Sequence, residues 1–217
     1  MYYKGVIFDL DGTLLDTLGD ISGAVSYALS RFSFPPIDRE GVRVRIGDGA
    51  YKLMERCFPE GTEKAVIEEA LGYFREYYKV HPVVTTRPYD GIGELLACLS
   101  EKGIPMGVAS NKDDGPVKYL MERYFPNVFT AACGVKEGYR RKPYTDVPYA
   151  ALEEMGLKKE EILFVGDSLT DKETAENCGF GFLYVSWGYG YPEKILPADT
   201  AKNPKEALNF ILSVLDF

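Results

Sequence analysis

The fold is decided by residues 5–17, whose sequence is Gly5-Val-Ile-Phe-Asp-Leu-Asp-Gly-Thr-Leu-Leu-Asp-Thr17. A short apolar run that ends in an acid is typical of a buried parallel strand, which presents the carboxylate at its C-terminal end. Asp9 and Asp11 follow this run two residues apart, so both carboxylates can approach one site. Gly12 lets the chain turn and brings backbone N–H groups close to an anion. We therefore expect a chemical site at the end of the first strand.

Later segments repeat this pattern of an apolar run with a polar or glycine residue after it. They are residues 105–109, 127–133, 161–165 and 180–185. Helices are predicted between them, at 90–103 with Asp90 as N-cap, at 147–155, at 169–178 and from Asn203-Pro204 onward. This alternation predicts an α/β fold with a Rossmann-like parallel sheet and ligands at the carboxyl ends of its strands.

Residues 16–81 interrupt the alternation. They contain helical segments at 16–32, after Asp38, at 49–57 and at 62–80, separated by prolines and glycines. We expect an inserted all-helical domain after the first strand. The predicted boundaries give a core of residues 1–15 and 86–217 and an insert of residues 16–85.

The composition excludes several classes of protein. The 217 residues are 46% hydrophobic and 27% charged, which is typical of a folded chain. The net charge of −8 is opposite to that of a nucleic-acid-binding protein. The four cysteines form no Cys-x-x-Cys pair, and no signal peptide or membrane-spanning segment is visible. We expect a cytoplasmic protein with reduced thiols and with neither nucleic acid nor membrane as partner.

Three later motifs add groups that suit phosphate chemistry. Ser110 follows an apolar run, so its hydroxyl and the next N–H can bind phosphate oxygens. Lys142 can neutralise a nucleophile–phosphate pair. Asp167 and Asp171 lie four residues apart where a strand passes into a helix, and their oxygens suit Mg²⁺. Alone, each motif is also typical of a turn, a solvated basic face or a helix N-cap, and their combination favours a site.

Other phosphatase chemistries lack their residues in this chain. No cysteine begins a Cys-x₅-Arg motif, and the single histidine, His81, excludes sites built from several histidines. No Gly-x-x-x-x-Gly-Lys-Ser/Thr loop is present for a nucleotide. The nucleophile must therefore be a carboxylate.

The motifs together resemble those of the haloacid dehalogenase-like (HAD) hydrolases. Residues 9–17 resemble the first motif of that family, and Ser110-Asn111-Lys112 resembles the second. Lys142-Pro143 resembles the third motif, and Gly166-Asp167-Ser168-Leu-Thr-Asp171 resembles the fourth. The four motifs occur in order and at compatible spacing, so the resemblance covers essentially the whole chain.

This resemblance implies a two-step phosphoryl transfer. Asp9 attacks phosphorus and forms an aspartyl-phosphate, while Asp11 protonates the leaving oxygen and later deprotonates the attacking water. The implied cofactor is Mg²⁺, with the metal residues Asp9, Asp11 through its carbonyl, Asp167, and Asp171 as a ligand or beside one. The implied phosphate-binding residues are Asp9, Gly12, Ser110, Asn111 and Lys142. Asp11 argues against halide chemistry, which does not need the second acid.

The insert resembles the small helical cap of the phosphoglycolate phosphatase-like branch, on residues 44–53 and Arg56. Residues 89–91 and 187–190 resemble the same branch. The branch implies a small phosphorylated metabolite as substrate, with phosphoglycolate first. Arg45, beside the turn at 47–49, is the first candidate for a substrate carboxylate. One departure is Thr145, where the branch has a second proline. We expect a monomer or a weak homodimer.

Three alternatives remain open on the sequence. Pyrophosphatases and nucleotide phosphatases of the same branch have similar caps. A phosphomutase of the β-phosphoglucomutase type would place a histidine and a lysine early in the insert, and residues 16–39 contain neither. A non-catalytic binding protein on this scaffold would not need the intact set of motif residues.

Overall fold

The computed structural model describes residues 3–191 and 199–215 of the chain. The chain divides into two compact units. Unit 1 consists of the described residues within Met1–Leu15 and Pro88–Phe217, and unit 2 is Asp16–Arg87. Residues 1–2, 192–198 and 216–217, which fall in the predicted core, lie outside the described residues.

A parallel sheet forms the centre of unit 1. The strands in chain order are β1 (Gly5–Phe8), β2 (Leu15–Asp16), β3 (Arg87–Pro88), β4 (Met106–Asp113), β5 (Ala131–Val135), β6 (Ile162–Gly166), β7 (Gly181–Val185) and β8 (Thr200–Ala201). Six of them form one sheet in the order β5-β4-β1-β6-β7-β8, and its pairs are parallel. β2 and β3 form a separate two-stranded sheet. Since β1 lies between β4 and β6, the ends of these three strands lie side by side, and the predicted α/β architecture is confirmed.

Helices surround this sheet and make up the insert. They are α1 (Leu18–Ser30), α2 (Arg39–Arg43), α3 (Gly49–Cys57) and α4 (Lys64–Val80) in unit 2, and α5 (Ile92–Glu101), α6 (Asp114–Tyr124), α7 (Asp146–Met155), α8 (Leu169–Cys178) and α9 (Pro204–Val214) in unit 1. A 3₁₀ turn spans Lys159–Glu161. Among residues 3–191 and 199–215, no helix has the length and apolarity that crossing a bilayer requires.

The core of unit 1 is apolar on both sides of the sheet. All four residues of β1 are buried, as expected for a strand covered by helices on both faces. Ile7 and Phe164 pack with Val147 and Met155 of α7 and with Phe180 in one buried cluster. Burial of each such side chain contributes about 1.5–3 kcal/mol to the stability of the fold. The sheet edge that bears the polar motifs is therefore supported by a well-packed core.

Three local predictions are wrong, two of them because turn geometry prevails. Gly91, not Asp90, is the N-cap of α5: the Ile92 N–H donates to the Tyr89 carbonyl, and Gly91 has a φ of 92°, as the third residue of a type II turn requires. β5 begins at Ala131 because Asn127, at a φ of 60°, belongs to a turn. β4 continues past residue 109 to Asp113, through the second motif.

Unit 2 is a helical unit in which α1 packs along α4. Tyr27 and Tyr77 stack across this contact with ring centroids 4.9 Å apart. Asp20 of α1 is buried and accepts hydrogen bonds from the N–H groups of Thr85 and Thr86 at 2.8 and 2.9 Å. These bonds tie the last residues of the unit to its first helix.

Candidate active site

The predicted site residues of unit 1 lie at the carboxyl edge of the sheet. Asp9 follows β1 directly, and its backbone N–H donates to the Val165 carbonyl of β6 at 2.9 Å. Ser110 and Asn111 lie in the last part of β4, and Asp167 follows β6. Because β4, β1 and β6 are neighbours in the sheet, their polar ends converge.

Lys142 links two carboxylates in this group. Its Nζ lies 2.6 Å from Asp9 Oδ1 and 2.7 Å from Asp171 Oδ1, and its side chain is buried. Burial alone would lower the pKa of Lys142, but the charges of Asp171 and Asp9 outweigh it and raise this pKa above its ordinary value. The lysine is therefore a fixed cation between the two acids.

Asn111 fixes the backbone of Lys142. Its Oδ1 accepts a hydrogen bond from the Lys142 N–H at 2.6 Å, and its Nδ2 donates to the Lys142 carbonyl at 3.0 Å. The next peptide bond, Lys142-Pro143, is cis. The side chain predicted to bind phosphate thus holds the backbone of Lys142, and a contact of Asn111 with phosphate stays a prediction.

Asp9, Asp167 and Asp171 form a buried carboxylate cluster. One oxygen from each lies within 4.8 Å of the others. Burial raises the pKa of Asp9 well above its ordinary value; Lys142 opposes this shift, and Asp171 and Asp167 add to it. Burial, followed by the charge of Asp171, raises the pKa of Asp167 to about 7. Three close carboxylates with one ammonium among them fit a hard divalent cation such as Mg²⁺.

The loop after β7 orients Asp167. Asp167 Oδ2 accepts hydrogen bonds from the N–H groups of Tyr189 at 2.6 Å and Gly190 at 3.3 Å. Its Oδ1 accepts one from the Thr13 hydroxyl at 3.0 Å. A Cβ on Gly188 would collide with the Asp167 carboxylate. The sequence indicated this loop only through its resemblance to the phosphoglycolate phosphatase-like branch, with no role attached.

Gly12 also packs against this carboxylate. Its φ is 93°, and a Cβ there would lie 2.5 Å from Asp167 Oδ2. Its N–H donates to the Leu15 carbonyl at 2.9 Å, within the turn. The glycine therefore permits the close approach of Asp167, and its predicted contact with a phosphate stays a prediction.

Asp171 is held by a capping box at the start of α8. Its Oδ2 accepts hydrogen bonds from the Ser168 N–H at 3.1 Å and hydroxyl at 2.5 Å, and its own N–H donates to Ser168 Oγ at 3.2 Å. A Cβ on Gly166 would collide with the Asp171 side chain. One oxygen of Asp171 thus serves the helix end and the other serves Lys142.

Asp11 is paired with a lysine that the sequence analysis did not single out. Lys112 Nζ lies 3.0 Å and 3.1 Å from the two carboxylate oxygens of Asp11. Lys112 is the third residue of the second motif, so the resemblance to the family already covered this lysine without giving it a role. Its proximity to Asp11 could not be read from the sequence, because it depends on the irregular end of β4. Ser110, buried in the same segment, accepts a hydrogen bond from the Lys112 N–H at 3.2 Å.

Arg45 lies in unit 2, where it joins α2 to the end of α3. Its Nη1 donates to the Gly41 carbonyl at 2.6 Å and its Nε to the Arg56 carbonyl at 2.8 Å. Arg56 donates in return to the Arg45 carbonyl at 3.0 Å and pairs with Asp48. A contact between Arg45 and a substrate stays a prediction.

The fold and this cluster place the chain among α/β hydrolases with an acidic centre at the carboxyl edge of a parallel sheet. Residues 6–185 match the haloacid dehalogenase-like hydrolase family, and the chain belongs to that family. The resemblance inferred from the four motifs is thereby confirmed.

Relatives within the family include named phosphatases. The chain is 33% identical to the N-acetylmuramic acid 6-phosphate phosphatase of Pseudomonas aeruginosa over 89% of this chain and 86% of that protein. It is 31% identical to the phosphoglycolate phosphatase of Rhodospirillum rubrum over 86% of this chain and 80% of that protein. The solved structure of a haloacid dehalogenase-like family hydrolase from Streptococcus pneumoniae is similar, with a TM-score of 0.87, 26% identity and coverage of 96% and 98% of the two chains.

Proposed function

We propose that the protein is a magnesium-dependent phosphatase that hydrolyses a small phosphorylated metabolite through an aspartyl-phosphate, with phosphoglycolate as the first candidate substrate. The observation that supports it most is Lys142 between Asp9 and Asp171, with the Asp11–Lys112 pair in the same unit. The Rhodospirillum rubrum relative supports the choice of phosphoglycolate.

The two acids of the first motif perform the two half-reactions. Asp9 attacks phosphorus in line, so that a bond from its carboxylate oxygen to phosphorus forms while the ester bond breaks. Asp11 gives a proton to the leaving oxygen and then takes one from the water that attacks the aspartyl-phosphate. The products are the alcohol and inorganic phosphate, and Asp9 is regenerated.

The cationic and polar groups at the sheet edge bind the phosphoryl group. Lys142 stabilises the charge that develops on the phosphoryl oxygens, because it is held in place before the reaction begins. The Ser110 hydroxyl and the Asn111 N–H donate to these oxygens, and Gly12 allows the loop to approach them closely.

Three groups would hold the metal ion: the Asp9 carboxylate, the Asp11 backbone carbonyl and Asp167. When bound, Mg²⁺ offsets the repulsion between the nucleophile and the phosphate. Asp171 has partners on both carboxylate oxygens, Lys142 on one and Ser168 on the other. These contacts support a role for Asp171 in positioning Lys142.

Unit 2 is proposed to act as a cap that selects the substrate. The chain enters it just after the first motif and leaves it before the second, so it is inserted next to the chemistry in the sequence. Closure of such an insert excludes water and adds contacts to the substrate. Arg45 remains the candidate for a contact with a substrate carboxylate.

A second candidate substrate is a sugar 6-phosphate. The identity of 33% to the N-acetylmuramic acid 6-phosphate phosphatase of Pseudomonas aeruginosa favours it. The chemistry in unit 1 is the same for both substrates, so the two proposals differ only in the leaving group.

The test is a turnover screen of phosphorylated metabolites with and without Mg²⁺. We expect hydrolysis of phosphoglycolate that stops on chelation with EDTA and returns with added Mg²⁺. Full activity in excess EDTA would contradict the metal role. Hydrolysis of a sugar phosphate, a nucleotide or pyrophosphate but not of phosphoglycolate would contradict the substrate while leaving the mechanism in place.

A further inference from the structure

We propose that Lys112 recognises the leaving group, and that its ammonium favours phosphomonoesters with a carboxylate beside the ester oxygen. This inference rests on the proposed function, because it assigns a residue to the same reaction. It concerns a nearly buried lysine that the mechanism above does not use.

An irregularity in β4 directs Lys112 toward the site. β4 and β5 are in register before and after residues 110–112, but only Gly134 lies opposite these three residues. Extra residues of this kind form a β-bulge, which bends a strand and redirects its side chains. Gly134 is required there, because a Cβ would lie 2.7 Å from the Lys112 carbonyl oxygen. The bulge therefore places Ser110 and Lys112 at the site together.

The Lys112 ammonium is held beside the proposed acid–base group. It contacts both oxygens of Asp11, and the two side chains are only 10% and 17% exposed. A lysine that is removed from water to this extent is stable only with an anionic partner. Because Asp11 is proposed to meet the leaving oxygen, the ammonium lies next to the leaving group.

The two lysines of the site serve different parts of the substrate. Lys142 pairs with Asp9 and Asp171, where the phosphoryl group is transferred. Lys112 pairs with Asp11, where the leaving group departs. An ammonium has three N–H donors and can contact two carboxylates at once, as Lys142 does. Lys112 can therefore bind a substrate carboxylate while it keeps its contact with Asp11.

The reach of this ammonium selects a class of leaving group. In a 2-phosphoryloxy carboxylate such as phosphoglycolate, one carbon separates the ester oxygen from the carboxylate. An ester oxygen within hydrogen-bond distance of Asp11 brings that carboxylate within range of an ammonium about 3 Å from the same side chain. In a sugar 6-phosphate the groups nearest the ester oxygen are neutral. Lys112 thus favours phosphoglycolate over a sugar phosphate.

The experiment compares two substrates of similar size, phosphoglycolate and 2-hydroxyethyl phosphate. The second has a neutral hydroxymethyl group in place of the carboxylate. kcat/KM is measured for both with the wild type, Lys112→Met and Lys112→Arg. We expect the wild type to prefer phosphoglycolate, and Lys112→Met to reduce that preference about 10–100-fold. Lys112→Arg keeps the charge and should retain most of the preference for phosphoglycolate. Lys64→Met is the matched control, since Lys64 forms an exposed ion pair with Glu68 in α4, and it should leave the preference unchanged.

The ratio of the two substrates separates recognition from support of Asp11. An equal loss on both substrates would overturn the proposal, because it would mean that Lys112 acts only through Asp11. A wild type with no preference for phosphoglycolate would overturn it as well. If the wild type hydrolyses no phosphomonoester, the proposed function fails. In that case, calorimetry measures the affinity of both compounds for Asp9→Asn and for the double variant Asp9→Asn/Lys112→Met. If the ratio of the two affinities is the same in both proteins, Lys112 does not recognise the carboxylate.

Discussion

Lys142 brings a single positive charge into contact with two of the three buried carboxylates. Neighbouring side chains hold both its backbone and its ammonium. Asn111 fixes its backbone, and Asp9 and Asp171 fix its ammonium. A buried charge is tolerated only when it is paired and hydrogen-bonded. Burial raises the pKa of Asp167 to about 7, and the excess of negative charge from Asp171 adds to this shift. This excess is what a divalent cation would neutralise.

Asp9→Asn should abolish turnover. The amide keeps the shape of the side chain but cannot form an acyl phosphate, and loss of a nucleophile costs at least about 10³ in kcat. The measurement is turnover of p-nitrophenyl phosphate at saturating Mg²⁺, with circular dichroism to check the fold. Asp146→Asn makes the same change in an exposed ion pair with Arg140 and should keep full activity. Activity of Asp9→Asn within tenfold of the wild type would rule out Asp9 as nucleophile.

At the residue scale the sequence predicted which groups converge but not how they are paired. Asp9 follows β1, Asp167 and Asp171 both follow β6, and Lys142 lies in the segment between β5 and α7. The rule that parallel strands share a carboxyl edge was enough to predict that these groups meet. The contact of Lys112 with Asp11 depends on the bulge, and bulges leave no reliable pattern in a single sequence.

The loop after β7 is the element that orients Asp167, and Gly188→Ala should disturb it without removing any ligand. The added Cβ would collide with the Asp167 carboxylate and the Gly12 carbonyl. Displacing a group that orients a metal ligand costs about 10–100-fold in metal affinity. We therefore expect the Mg²⁺ concentration for half-maximal activity to rise by that factor, measured by titrating Mg²⁺ in the turnover assay.

Gly115→Ala is the matched control for that loop variant. Gly115 lies in α6, and nothing lies within 4 Å of its Cβ position. The substitution should leave the Mg²⁺ requirement unchanged. A Gly188→Ala protein that folds and titrates with Mg²⁺ like the wild type would show that the loop does not orient Asp167.

Asp20 joins α1 to the end of unit 2, and its contribution to stability should depend on pH. Burial works to raise the pKa of Asp20, but the hydrogen bonds from Thr85 and Thr86 outweigh it and hold the pKa below its ordinary value of 3.8. A carboxyl group whose pKa is lowered in the folded state stabilises that state fully at pH values above its pKa in the unfolded chain. This contribution is lost as the pH falls through the folded pKa.

Asp20→Asn should therefore lower the free energy of unfolding by about 1.5–3 kcal/mol at neutral pH. The difference from the wild type should shrink as the pH is lowered to about 3 and below. Urea unfolding at a series of pH values measures both. Glu68→Gln, in an exposed pair with Lys64, should change little at any pH. A difference between Asp20→Asn and the wild type that stays constant with pH would mean that the carboxylate charge is not what stabilises this junction.

At the scale of elements, the order and type of most helices and strands were predicted because the apolar runs and glycine stops are strong signals, but helix α6 and the two-residue strands β2, β3 and β8 were not predicted. The boundaries were less predictable. Asp90 is a good N-cap residue by type, but the turn that ends at Ile92 needs a glycine at positive φ, and Gly91 takes the position. Competition between two local motifs of this kind is decided by the backbone geometry of the whole turn.

At the scale of the whole molecule, the insert is proposed to add substrate selectivity to the chemistry of unit 1, and removing the insert tests this. β2 and β3 are hydrogen-bonded neighbours at the two points where the chain passes between the units. Deleting residues 17–86 therefore leaves ends about 5 Å apart, which a short Gly/Ser linker can join. The residues proposed for the chemistry all belong to unit 1, so we expect the shortened chain to hydrolyse p-nitrophenyl phosphate with Mg²⁺ at a reduced rate.

Selectivity should then divide between the two units. Lys112 belongs to unit 1, so the shortened chain should keep its preference for phosphoglycolate over 2-hydroxyethyl phosphate. Discrimination between phosphoglycolate and a bulky sugar 6-phosphate should fall by about tenfold or more, since the insert is proposed to supply the contacts that exclude larger leaving groups. kcat/KM for the three substrates measures both effects, and full-length Arg45→Ala shows whether that arginine accounts for the second. If the shortened chain folds and keeps the full discrimination against the sugar phosphate, unit 2 is not the selective element, and unit 1 alone must choose the substrate.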